Sequence, residues 1–422
     1  IVSLGFIVSL AIYFFARFRI KTNFHNVLLE SVYLSVIICA IGTFFIIQFL
    51  DIKVTALPAF LNINNNFILF IPYLIGLIGA ILISYTAEIL TSTRYSIAKQ
   101  IAKETEFGAI ISIFNSLAIS FKSIFLFVIY ILLIIIPSIY FAGFYGVLFA
   151  SLGMLSVTGT ILITNIFSPL ILNTTKIIKL VNEDNIALKN VIKMERLAQT
   201  TIALGNGFLT GVSVLSTFNI FFAMLLIMGQ KTNLMQLFFI DLKLLTGLII
   251  GIALPLVFLG LLLSGLTKTI LAILKEGHRQ FRDIPYLDQD KARPDIIKVS
   301  DQTTIKAMNA LIMPTALMLL MPIIIGYFFG VSGFKILLGM SLGTILISLT
   351  LGFAWSLVGE ALNNAKNYIA KGHFGGSNSP NFTNIRLADN FGDAFKDLLS
   401  PSLNLFVKVF GILNIFIIIF LI

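Results

Sequence analysis

The chain has 422 residues, 58% of them hydrophobic and only 11% charged, with a mean hydropathy of +1.00. Soluble domains carry about 25% charged residues, so this composition excludes an ordinary soluble globular protein and points to repeated membrane helices. The net charge of +10 is concentrated in alternate connections between apolar runs. It therefore reports topology and contact with lipid headgroups, and nucleic acid is not an expected partner.

Ten apolar spans are predicted, near 1–18, 27–50, 66–86, 108–137, 141–172, 200–229, 236–264, 303–329, 335–361 and 399–422. They define an all-α polytopic membrane protein with about ten transmembrane helices, and 1–422 reads as a single transmembrane helical domain. Most Lys and Arg fall in the connections 17–22, 87–107, 173–198, 265–302 and 362–398. The positive-inside rule makes those five connections cytoplasmic and puts both termini outside. The apolar run 1–18 lacks a small-residue cleavage site, so it reads as a span and not a signal peptide. Cys39 is alone, and His25, His278 and His373 are scattered. A disulfide framework, a thiolate metal site and a histidine ligand set are all unexpected.

In chain order, Arg17 to Lys21 forms a small basic cluster after the first span, and Glu30 and Ser31 enter the second. A Glu in an apolar helix is costly and is expected to face a partner or a water-filled path; the bland alternative is an interface-level Glu near the span's end. The third span exits through Glu88 and Thr91-Ser92-Thr93-Arg94, and the fifth runs into Asn173-Thr174-Thr175-Lys176. The sixth begins at Glu195 and carries Thr200-Thr201 and Gly205-Asn206-Gly207, where small residues favour close helix approach. The longest basic connection, with Arg279-Gln280-Phe281-Arg282-Asp283-Ile284-Pro285, reads on its own as a solvated amphipathic loop. The ninth span ends in Gly359-Glu360, Asn363-Asn364 and Lys366, and Gly375-Gly376 then breaks the chain.

The last span is preceded by Asp389, Asp393 and Asp397, one carboxylate every four residues, with Lys396 beside them. On a helix this spacing stacks the three carboxylates along one face. Oxygen ligands of this kind suit Mg²⁺, which binds through a few carboxylates and phosphate oxygens. Spacing alone leaves a second reading open, a charged turn at the membrane edge. Lys408 follows inside the apolar run, where an ionisable residue marks a functional candidate. There is no phosphate-loop motif, no Ser/His/Asp set and no HExxH. Polar residues thus gather at one end of several spans, as around a shared funnel.

The run Arg279–Pro285, the run Asn363–Ile369, and Asp389-x-x-x-Asp393-x-Phe395-Lys396-Asp397 followed by Pro401-Ser402-Leu403-Asn404 resemble the membrane-integral inorganic pyrophosphatases. The likeness extends upstream through Thr91–Tyr95, Gly143–Ser156 and Thr200–Gly211. The resemblance implies a pyrophosphate-energised H⁺ or Na⁺ pump in a prokaryotic cell membrane, built as a homodimer of sixteen-helix subunits. Mg²⁺ would be the cofactor, pyrophosphate or a similar anion the ligand, and the site would lie at the cytoplasmic ends of six inner helices. On this likeness the ten spans match the family's fifth, sixth and ninth to sixteenth helices. All inner helices remain and several outer ones are lacking, including two between Leu50 and Phe67.

Carried over by position, the resemblance implies metal binding by Asp389, Asp393 and Asp397. It implies phosphate binding by Lys366, Lys396 and Arg17, and an ion gate of Glu30, Ser31 and Lys408. It also marks departures. Asn165, Leu172 and Asn363 stand where aspartates are expected, Asn206 where a Lys is, Glu195 where an Asp is, and Val27 where the gate Asp is. The acidic loop expected between Arg17 and Glu30 is reduced to about ten residues, none acidic. Asn offers Mg²⁺ a carbonyl but neither charge nor a base. Water attack on pyrophosphate needs both metal charge and a base, so hydrolysis is expected to be impaired or lost. The alternative role is a non-hydrolytic homologue that binds an anion, conducts ions or serves as a partner subunit.

Overall fold

The computed structural model describes residues 1–19, 24–50, 67–181, 186–229, 241–289 and 291–421. Within its helices the side chains at 24–26, 28–29, 50, 164–165, 167–169, 172, 175–176, 179–181, 186–204, 206, 331–332 and 421 lie outside the description. Among the described residues every regular element is a helix. We number them α1 (Val2–Arg19), α2 (Phe24–Leu50), α3 (Phe67–Thr91), α4 (Ser96–Glu104), α5 (Ala109–Ser156), α6 (Thr158–Val181), α7 (Ile186–Gly229), α8 (Leu242–Asp283), α9 (Ile296–Phe329), α10 (Phe334–Ile347), α11 (Phe353–Ala370), α12 (Pro380–Asp393) and α13 (Ser400–Leu421).

Among the described residues nine helical stretches are long and apolar enough to cross a membrane, which bears out the all-α polytopic reading. The difference from ten predicted spans lies in Ala109–Ile163, a 55-residue stretch. Straight, it would run about 80 Å, more than twice a hydrocarbon core of about 30 Å. Its helix breaks at Ala142 and Gly143, where Gly143 takes a φ of 59°. A Cβ on Gly146 would run into the backbone of Ser138. These two positions flank Ala142 symmetrically and would be about 12 Å apart in a straight helix. The chain therefore reverses here, and both predicted spans are present in α5 and α6.

Internal contacts divide the chain into two compact units, residues 1–222 with 348–404 and residues 223–347 with 405–422. In the first, α3 lies against α5 with backbones almost touching. A Cβ on Gly76 would strike the Ala150 carbonyl, and one on Gly153 would strike that of Tyr73. Lipid tails are as apolar as Leu, so membrane helices gain little from hydrophobic exclusion and rely on such close packing. Around the crossing Leu77, Ile83, Ile131, Met154 and Phe208 are buried. The rings of Phe127 and Phe353 stack at 4.1 Å and tie α11 to α5. The buried Tyr73 hydroxyl donates to the Cys39 carbonyl and shares a 3.0 Å hydrogen bond with Ser156.

The second unit repeats the device. Gly247 and Gly251 of α8 face the backbone of Ile336 and Met340 in α10, and Gly339 and Gly343 face α8 in return. Asp241 caps α8 by accepting from the Leu244 N–H at 2.9 Å, and Lys335 donates to its other oxygen. That Lys335 contact, with the Leu244 N–H, holds the Asp241 carboxyl below the usual carboxylate range. The solvated loop expected over 265–302 is a loop only in part. α8 continues through it to Asp283 and α9 begins at Ile296. Beyond the apolar part, residues 266–283 hold no proline and one glycine, Gly277, so the helix continues, and the residue before Pro285 is where it is expected to stop.

Two glycines give opposite expectations. Gly153→Val should lower the stability of the detergent-solubilised protein by about 1–3 kcal/mol through overpacking. Gly260, with nothing within 4 Å of an added Cβ, should gain up to about 1 kcal/mol as Ala. Thermal unfolding of both variants checks the pair.

Candidate functional site

The connection from α11 to α12 must reverse the chain within a few residues. Gly372, Gly375 and Gly376 all take positive φ there, a conformation glycine adopts at no steric cost. Ser379 then caps α12, its Oγ accepting from the Phe382 N–H, and Pro380 occupies the first turn, a position suited to its fixed φ. The two helices run back to back and meet at Gly359 and Gly392. A Cβ on Gly359 would lie 2.6 Å from the Gly392 carbonyl oxygen and 2.5 Å from the Lys396 Cβ.

That crossing puts four ionisable side chains within reach of one another. Side chains on a helix lean toward its N-terminus, so Lys366, two turns beyond Gly359, reaches back over the crossing. It forms an ion pair with Asp389, one turn before Gly392 on α12. Asp389 is buried, while the Lys366 side chain is one-quarter exposed. Lys396 donates to Asp393 at 2.8 Å, and its ammonium also feels the charge of Glu360, buried on α11. Asn364 donates to the Thr91 carbonyl at 3.0 Å and Asn384 to that of Thr105. These bonds tie both helices to the connection after α3. Trp355 and Phe391 flank Phe395 beside the pairs.

Asp397 lies one turn beyond Asp393 and within electrostatic reach of Asp389, Asp393 and Lys396. From Ala394 to Leu399 the chain adopts a π-helix, in which a four-residue spacing still falls close to one face. Asp389 is buried and Asp397 exposed. A second π-turn spans Ser348–Gly352, and the Ser400 hydroxyl donates to the Gly352 carbonyl at 2.8 Å.

The other candidates are dispersed. Arg17 is exposed on α1, and among the described residues no hydrogen bond or ion pair links it to the cluster. Glu30 pairs with Arg19 at 2.9 Å on an exposed face. Ser31 is buried and donates to the carbonyl of Val27, itself buried. Asn363 is half-buried and accepts from Asn367 at 3.4 Å. Lys408 is half-buried in the second unit, with no ion-pair partner among the described residues. The side chains of Asn165, Leu172, Glu195 and Asn206 lie outside the described residues. In the sequence Glu360 reads as part of the polar end of its span and not as a site residue, although it shares helical spacing with Asn364 and Asn367.

Asp389, Asp393 and Asp397 are the candidate oxygen donors for Mg²⁺. One oxygen of Asp389, Oδ1, is buried without a hydrogen-bond partner, a feature suited to a cation. Yet among the described residues no three His, Cys, Asp or Glu side chains come together as a metal set. Lysines, not a shared centre, neutralise Asp389 and Asp393. The described residues therefore do not fit a Mg²⁺ cluster.

Fold and site together define an integral membrane protein of long apolar helices, with a partly buried ion-paired cluster where α11 and α12 meet. A family model described as inorganic H⁺ pyrophosphatase matches residues 1–418. This chain belongs to that family. A K⁺-stimulated pyrophosphate-energized sodium pump of Thermotoga maritima is 29% identical over 352 residues, covering 81% of this chain and 48% of its own length. A K⁺-insensitive pyrophosphate-energized proton pump of Methanosarcina mazei is 28% identical over 353 residues, covering 81% and 51%. The chain spans about half the length of the curated relatives it matches.

A double-mutant cycle tests the buried pair. Removing one partner of a buried ion pair costs about 3–5 kcal/mol, and the partial exposure of Lys366 should reduce this to about 2 kcal/mol for Lys366→Met or Asp389→Asn. The double variant should lose less than the sum of the two, read by thermal unfolding.

Proposed function

We propose that this chain is a pyrophosphate-recognising member of the family in which hydrolysis is lost or severely weakened. The observation that carries the reading is the state of the two site lysines. Lys366 is paired with Asp389 and Lys396 with Asp393, with Glu360 and Asp397 also acting on Lys396, and the carboxylates form no metal set among the described residues. An anion with several charged oxygens competes for both ammonium groups at once, and charge-assisted bonds to phosphate oxygens are among the strongest available. The relatives' names supply pyrophosphate as the anion to test and H⁺ or Na⁺ as the transferred cation.

Asn165, Leu172 and Asn363, where the family resemblance expects aspartates, support loss of the chemical step. Without those charges a metal-borne pyrophosphate lacks counter-ligands, and Asp389 and Asp393, engaged by Lys366 and Lys396, are poorly placed to take the proton of an attacking water. If Mg²⁺ enters, Asp389 Oδ1 is its candidate contact. The site lies on the side of the basic connections, which the positive-inside rule makes cytoplasmic. The ligand therefore arrives from the cytoplasm, and a second copy or a full-length relative is the natural assembly partner.

Phosphate release from the purified protein at millimolar Mg²⁺ and pyrophosphate is expected to equal background, while pyrophosphate alone raises the unfolding temperature. Release that disappears in Asp393→Asn would overturn the loss of hydrolysis. An unfolding temperature indifferent to pyrophosphate would overturn the recognition.

A further inference from the structure

α8 and α9 are both longer than a membrane is thick. At 1.5 Å per residue they run roughly 63 and 51 Å, against a hydrocarbon core of about 30 Å. α8 starts beside the Asp241–Lys335 pair, so the core ends about 20 residues on, near Leu261. On α9, counted back from Phe329, the same limit falls near Ala310. At that depth the helices pinch together, where a Cβ on Gly265 would lie 2.6 Å from the Ala310 Cβ. At the far end the Gln280 amide closes the pair, donating to the Asp295 carbonyl at 3.0 Å and accepting from its N–H at 2.9 Å.

Around the pinch and below this tie lies a groove of about 900 Å³. One end of its wall is apolar, with Leu261, Met313 and Pro314 at the hydrocarbon edge. Lys268, Lys275 and Lys306 line the rest, and all three are exposed. The carboxylate in the wall, Glu276, is taken up by Arg279 at 2.6 Å and Gln280 at 3.0 Å. Among the described residues none of the three lysines has an ion-pair partner. A solvated basic face would need no apolar wall at hydrocarbon depth, and a soluble anion would not use one.

We infer that this groove holds an anionic phospholipid, with its phosphate on Lys268, Lys275 and Lys306 and an acyl chain along Leu261, Met313 and Pro314. Basic pockets between membrane helices bind lipid headgroups through the same combination of charge and apolar contact. The lipid would brace the projecting ends of α8 and α9 and fix their height in the bilayer. The site involves none of the residues of the α11–α12 cluster.

Native mass spectrometry of the full chain, released from detergent with added phosphatidylglycerol or phosphatidylcholine, tests this. Bound phosphatidylglycerol should exceed phosphatidylcholine about tenfold, as three lysines near the headgroup layer imply. The ratio should fall to about one in K268Q/K275Q/K306Q and persist in K99Q/K103Q/K122Q, which removes three exposed lysines elsewhere. Should the triple groove variant not fold, K306Q alone should lower the ratio about twofold or more. Equal binding of the two lipids, a preference that survives the groove variants, or one equally lost in the control variant would overturn the site. Displacement of phosphatidylglycerol by millimolar inorganic phosphate would overturn the lipid in favour of a free anion.

Discussion

A charge inside an apolar helical assembly needs a partner, and that constraint organises the region where α11 and α12 meet. Desolvating a carboxylate alone costs several kcal/mol, so the buried Asp389 is paired with the partly exposed Lys366, and Lys396 is held by Asp393 with Glu360 nearby. The pairs exist because two glycines, Gly359 and Gly392, let the helix backbones touch. The glycine-rich reversal after Ala370 returns the chain at the right height. Close packing thus sets the electrostatics, and the electrostatics set which ligands can enter. An incoming anion must offer each lysine more than its carboxylate does, which favours a compact, multiply charged species over a monovalent one.

Much of this was legible in the sequence, for identifiable reasons. Apolar runs of membrane length are unambiguous, and the hairpin at Gly143 was visible because a glycine interrupts one such run. The glycine break before α12 was equally readable. The helical extension of α8 beyond its apolar part was not, because polar residues outside the bilayer are compatible with both helix and loop. The π-turn over Ala394–Leu399 carries no mark in the residue types there. Glu360 was readable from its spacing to Asn364 and was overshadowed by the acidic run that follows.

Relatives named as a sodium pump and as a proton pump match this chain at nearly equal identity, 29% and 28%. On the function proposed above, Asn and Leu stand where the family resemblance expects aspartate, and a site with less metal-binding charge but both lysines would shift from carrying a metal–pyrophosphate complex toward direct recognition of the anion.

The most direct measurement is calorimetric titration of pyrophosphate into Asp389→Asn and the unchanged protein, both with divalent cations chelated. If Asp389 competes with the ligand for Lys366, removing its charge frees the ammonium and pyrophosphate binds more tightly, by about tenfold for one relieved charge interaction of roughly 1.4 kcal/mol. If Asp389 instead recruits a cation that the ligand requires, the unchanged protein would bind only when Mg²⁺ is restored and the variant would not bind at all. That second result would contradict the account.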